Sequence, residues 1–219
     1  SLKLLVPGHA QDKLYKWVAL LTGSKNALKG VGFFLGGLLL SVLGFHGAVL
    51  VMAIALLLVW LTSVILLRKD FGKASNKPKF TELFSKSRAV NILSAARLFL
   101  FGARDVWFVV ALPIFLAANL GWDFWQISGF LAIWVIGYGF VQTIAPFFTG
   151  KKSGQVPDGK TALRWALPLA LIPAAIAALL SQDVNPSAVL IIGLMLFGAL
   201  FAINSSLHSY LILSYARED

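Results

Sequence analysis

Long apolar stretches alternate with short polar connectors along this chain. The hydrocarbon core of a bilayer, about 30 Å thick, needs roughly 20 apolar helical residues to cross it. Six stretches meet or approach that length: Ala27 to Gly44, Gly47 to Leu67, Asn91 to Ala118, Phe124 to Thr149, Thr161 to Ser181 and Ser187 to Ala216. Ahead of the first, "QDKLYKWVALLTGSKNALKG" alternates polar and apolar faces at helical spacing and predicts an extension back to Asp12. The pattern predicts an all-α polytopic membrane protein.

Composition agrees: 58% of the 219 residues are hydrophobic and 13% charged, and the mean hydropathy is +0.82. The net charge of +10 does not point to nucleic acid, because the basic residues sit in connectors between apolar runs and not on a solvated domain. They divide by connector. Lys3, Lys13, Lys16, Lys25 and Lys29 precede or open the first span, seven basic residues fill 68–90, Lys151, Lys152, Lys160 and Arg164 follow the fourth span, and Arg217 follows the sixth. The remaining connectors, "FH", "LGWD" and "QDVNP", carry no Lys or Arg, so the positive-inside rule predicts that both ends are cytoplasmic. With no cysteine there is neither a disulfide framework nor a Cys-based metal site. No G-x-S-x-G, Walker A or HExxH sequence is present, His9, His46 and His208 are scattered, and no enzyme activity, metal or cofactor is expected.

Ionisable and polar residues inside the spans carry the functional expectation. Arg97 and Arg104 lie two helical turns apart on one face of the third span, about 9 Å and 20 Å from Asn91 at 1.5 Å per residue. Arg97 can snorkel, whereas Arg104 needs a wet cavity or a partner, since an arginine at a helix centre costs about 2.5 to 3.5 kcal/mol. Asp105 is an adjacent candidate partner, although neighbours on a helix diverge by about 100°. Arginine's planar fork suits carboxylates and phosphates, which favours a small anionic substrate. Asn204 and His208, four apart beside Ser205 and Ser209, form a second polar patch, with Asn204 a candidate substrate contact grouped with Arg104 and Arg97, and Asp105 and His208 as proton-coupling candidates. Gln126, Trp134, Tyr138 and Gln142 make a stripe on the fourth span, with Tyr138 and Gln142 as candidate substrate contacts. Gly32, Gly36 and Gly37 predict close helix packing on the first.

The segments "LYKWVALLTGSKNALKGVGFFLGGLLL", "SAARLFLFGARDVWFVVALP" and "GFLAIWVIGYGFVQTIAP" resemble the ArsJ organoarsenical efflux permeases of the major facilitator superfamily, and the resemblance runs over nearly the whole chain. It implies a fragment spanning about helices five to ten of twelve: 1–67 ends an N-terminal bundle, 68–90 is the basic cytoplasmic inter-bundle loop and 91–219 begins a C-terminal bundle. "GFFLGG" is similar to the G-P-x-x-G-G core of the antiporter motif on the fifth helix of such exporters, with Phe33 in place of proline. Thr149 to Lys160 keeps the basic residues and glycines of the family's motif between helices eight and nine, but not its G-x-x-x-D-R order. The resemblance further implies a bacterial cytoplasmic membrane, arsenate resistance by export of 1-arseno-3-phosphoglycerate, and a functional link to the glyceraldehyde-3-phosphate dehydrogenase that makes this anion. Arg104 is the expected anion clamp, with Arg97 guiding the cargo. Export of another small anion, a sugar phosphate or a drug, and a non-transporting membrane scaffold, stand as alternatives.

Overall fold

A computed structural model describes residues 11–66, 87–149, 157–182 and 184–215. The basic loop at 68–86, the segment 150–156 with Lys151 and Lys152, and both chain ends, with Lys3, His9 and Arg217, lie outside the described residues. Those described are almost entirely helical, in the order α1 (Gln11–Leu66), α2 (Arg88–Val106), a π-helical turn (Trp107–Ala111), α3 (Leu112–Leu120), α4 (Phe124–Thr149), α5 (Gly159–Leu180) and α6 (Pro186–Tyr215). Taking α2 to α3 as one span, five helices among them are long and apolar enough to cross a membrane.

Six spans were expected, and α1 accounts for the difference. Its 56 residues would extend about 84 Å if straight, nearly three bilayer cores. The helix breaks at Gly44, whose φ of 66° and ψ of −179° suit a residue without a Cβ. The break lies one residue before the expected "FH" turn and separates 11–43, which packs against the other helices, from an almost wholly exposed apolar 45–66. As expected, the helix extends back beyond Ala27, to Gln11.

The third span is continuous from Arg88 to Leu120 but changes pitch in the middle. Pro113 has no N–H to give the carbonyl of Val109, and its ring crowds that oxygen. The turn ahead of it widens, so that the Leu112 N–H donates to the Trp107 carbonyl, five residues back. This π turn starts two residues after Asp105, and periodicity alone gave no sign of it.

Helix α6 is the hub. It packs on α1, α2, α4 and α5 and buries both apolar and polar residues along its length. One core cluster gathers Phe108, Leu112, Trp134, Tyr138, Phe197 and Phe201. The other gathers Leu14, Tyr15, Val18, Leu207, Tyr210 and Leu211. Trp134 Nε1 donates to the Leu194 carbonyl at 2.7 Å, which meets the need of a buried indole N–H.

The most intimate seam joins α1 to α4, along Gly23, Gly30 and Gly37. Seven-residue spacing keeps all three on one face, and a Cβ on any of them would collide with α4 at Gly139 and Thr143, Ala132 and Ile136, or Ser128 respectively. Of the glycines expected to pack, Gly37 lies in this seam, whereas Gly32 and Gly36 have open space where a Cβ would stand. The register of close approach follows small residues on the partner helix, which a GxxxG spacing on one helix does not specify.

Candidate functional site

Arg104 is held by its own helix and by α6. Its Nε and Nη2 both donate to Asp105 Oδ1, and its guanidinium carbon lies 5.1 Å from the Phe101 ring centroid and 5.0 Å from that of Phe201. The rings fix the plane of the fork and leave its charge accessible. The Arg104 side chain is 19% exposed and that of Asp105 50%. The adjacent pair thus does form, despite the divergence of neighbouring positions, because the arginine side chain is long enough to bend toward the neighbouring carboxylate.

Arg97 serves a different contact. Its Nη1 donates to Ser209 Oγ at 2.9 Å, and its guanidinium carbon lies 4.9 Å from the same Phe101 ring. Ser209 Oγ in turn donates to the Ser205 carbonyl at 2.8 Å, one turn back on α6. Ser205 Oγ accepts from Gln142 Nε2 at 3.1 Å, and Gln142 Oε1 accepts from Asn26 Nδ2 at 2.6 Å. A polar chain from Arg97 to Asn26 therefore ties together α2, α6, α4 and α1.

Gln142 is fully buried, with both ends of its amide engaged between helices. The structure assigns it to joining helices; as a cargo contact it has no accessible surface. Interhelical hydrogen bonds in membranes average about 0.6 kcal/mol and reach about 1.7. Gln142→Leu breaks two of them and is expected to destabilise the protein by about 1 to 3 kcal/mol, seen as a lower melting temperature in detergent. Gln126 also leaves the expected stripe. Its Oε1 accepts from the Asp123 backbone N–H at 3.0 Å, while Asp123 Oδ1 accepts from the Gln126 N–H at 2.7 Å, a reciprocal cap on the start of α4.

A cavity of about 650 Å³ opens in front of Arg104. Arg104 and Asp105 line it together with Trp134 and Tyr138 of α4 and Asn26 and Lys29 of α1. Trp134 and Tyr138 stack with ring centroids 5.7 Å apart and planes 7° from parallel. Phe33, the residue in the proline position of the antiporter-like motif, meets Phe108 edge to face at 6.5 Å across the same space. Lys29 and Asn26 escaped the sequence reading because Lys29 was grouped with the connector charges. The 3- and 4-residue spacing of Asn26, Lys29 and Phe33, one helical face, was the available signal.

Asn204 and His208 do not join this group. They line a separate, largely apolar cavity of about 680 Å³ between α2, α5 and α6. Asn204 Nδ2 donates to the Trp165 carbonyl at 2.8 Å and to the Leu200 carbonyl at 3.1 Å, pinning α6 to α5. The expected grouping of Asn204 with Arg104 therefore fails, because the two residues front different cavities. The described residues contain no cluster of three or more metal-ligating side chains.

The family model described as Major Facilitator Superfamily matches residues 6–219. No curated protein and no solved structure gives a significant match. With membrane-length apolar helices around an internal cavity and a family match over almost its whole length, the chain belongs to the major facilitator superfamily of membrane transporters.

Proposed function

We propose that this transporter exports a small organoarsenical anion, 1-arseno-3-phosphoglycerate, from the bacterial cytoplasm. The observation that carries the reading is Arg104, a cation within a membrane span, braced by two aromatic rings and fronting a cavity large enough for such a molecule. The resemblance of its surroundings, "SAARLFLFGARDVWFVVALP", to arsenical permeases supplies the cargo. Arg97, bonded to Ser209, contributes positive potential behind the Phe101 ring.

Asp105 occupies the donors that an anion needs. Cargo must displace this carboxylate to reach the guanidinium. His208 fronts the other cavity, which leaves Asp105 as the coupling group in this reading. Outward movement of an anion then draws on the membrane potential, about 2.3 kcal/mol per elementary charge per 100 mV.

The test is arsenic accumulation by everted vesicles carrying the protein at its natural length, with the cargo generated outside by glyceraldehyde-3-phosphate dehydrogenase and arsenate. Accumulation above that of vesicles lacking the protein, and absent when the dehydrogenase is omitted, is the expected result. Equal arsenic in both vesicle types rejects the reading.

A further inference from the structure

The second cavity, of about 680 Å³, has no part in the Arg104 reading. Helices α2 and α5 scarcely touch, and α6 forms the floor between them. The helix-terminal residues Ala89, Gly159 and Tyr215 all line it, so this groove runs inward from one end of the bundle, the end that the positive-inside rule places in the cytoplasm. It reaches Leu100, about 17 Å along α2 from Ala89. Its lips are Ile92, Phe99 and Leu163, which are 59%, 76% and 72% exposed, so it opens sideways toward the surrounding membrane. Its two polar side chains, Asn204 and His208, are 0% and 8% exposed, and the surface it offers is therefore apolar. A hydrophilic anion has nothing to meet there, whereas a hydrocarbon chain does.

The rim of the groove is basic. Arg88 stands one turn before Ile92 on the same face of α2, and Lys160 stands one turn before Leu163 and Arg164 on α5. All three cations are exposed. The acid beside them, Asp158, is engaged at the start of α5, where its Oδ1 accepts from the Thr161 N–H at 2.9 Å and from the Thr161 hydroxyl at 2.7 Å. Arg164 also lines a neighbouring hollow of about 550 Å³ that shares Leu163 and Ala166 with the groove. Two apolar hollows thus adjoin on α5 behind one basic rim.

We infer that the groove binds an anionic phospholipid with two acyl chains. Its phosphate meets Arg88, Lys160 and Arg164, while one chain lies in the groove and the other in the hollow past Leu163. Charge and shape favour the same occupant. Basic pockets between membrane helices at the cytoplasmic face suit acidic headgroups, and an apolar gap that opens sideways admits a chain already in the bilayer. The bound lipid joins α2 to α5, which the protein itself leaves apart, and so steadies the helix that carries Arg97 and Arg104. The site is independent of what Arg104 takes.

Native mass spectrometry checks this on the purified protein at its natural length, released from micelles holding equal amounts of phosphatidylglycerol and phosphatidylcholine with identical chains. The native protein is expected to retain phosphatidylglycerol in preference by about fivefold or more, as three cations against one carboxylate require. Replacing Arg88, Lys160 and Arg164 together by glutamine is expected to bring the two lipids within about twofold. The same loss of charge on α1, Lys13→Gln with Lys16→Gln and Lys25→Gln, is expected to keep the preference. Ala96→Phe, which fills the groove, is expected to lower phosphatidylglycerol retention about fivefold, because burial of the chain is lost. Native protein that retains both lipids equally, or neither, overturns the inference, and the latter is the outcome if another helix of the protein occupies the groove. A preference kept by the Arg88, Lys160 and Arg164 variant, or lost alike in the α1 variant, overturns it in favour of diffuse surface charge. Full retention by Ala96→Phe overturns the groove as the place of binding.

Discussion

Replacing Arg104 by glutamine is expected to lower anion export on the order of 100-fold, with Arg104→Lys retaining a measurable part and Asp105→Asn moving cargo affinity the other way. The magnitude follows from the contacts. A hydrogen bond to a charged group contributes about 1.5 to 3 kcal/mol, and a guanidinium offers an anion two in parallel. Against this stands the competing carboxylate of Asp105, which already holds Nε and Nη2. A net loss of about 3 kcal/mol is near 100-fold, at 1.4 kcal/mol per factor of ten. Lysine keeps the charge but not the flat fork that the Phe101 and Phe201 rings hold in place, so it recovers only the undirected part of the attraction. Asp105→Asn removes the competing charge and is expected to tighten cargo binding several-fold. Initial rates at several cargo concentrations, at matched protein levels in vesicles, check all three. Equal export by native protein and Arg104→Gln rejects the anion clamp, and weaker binding by Asp105→Asn rejects the competition.

The helical, membrane-spanning character of this chain was legible because it follows from run length and hydropathy, both local properties. So was the need of Arg104 for a partner or a cavity, since a deep arginine in an apolar run requires one or the other wherever it occurs. What was not legible depended on a neighbouring helix. Nothing within α4 shows that Gln142 meets Asn26 and Ser205 while Tyr138, one turn earlier, contributes to the wall of the Arg104 cavity. The separation of Asn204 from Arg104 likewise depends on which side of α6 receives α5. Lys29 was hidden by its company. It follows Lys13, Lys16 and Lys25, and a count of charges near a span's start does not show which of them fronts a cavity.

Gly139→Val is expected to have the largest effect on stability, abolishing or sharply reducing the monodisperse, folded protein recovered in detergent, while Gly137→Val on the same helix is tolerated. A Cβ on Gly139 would lie 2.5 Å from the Gly23 carbonyl oxygen and 2.6 Å from the Ala27 nitrogen. Both are backbone atoms of a helix whose own hydrogen bonds hold them, so no rotamer change relieves the clash and α1 must move as a body. Overpacking that side chains can absorb costs about 1 to 3 kcal/mol, and this case lies beyond that range because the yielding element is a whole helix. Gly137 has no atom within 4 Å of the corresponding position. Valine has similar helix propensity at either site, which confines the difference between the variants to the seam. The seam also carries the Asn26 to Gln142 bond and, farther along, that between Tyr15 and Thr149 at 2.7 Å, so displacing α1 removes polar as well as apolar contacts. In the two-bundle arrangement that the resemblance implies, α1 and α4 would belong to different bundles, and the glycine stripe would let two backbones that rock during transport lie close without interlocked side chains. Gly139→Ala carries the same Cβ without valine's two further methyl groups, so it is expected to lower the melting temperature as well, by less than Gly139→Val, and vesicle flux measured beside melting temperature for both variants separates a transport defect from a folding defect.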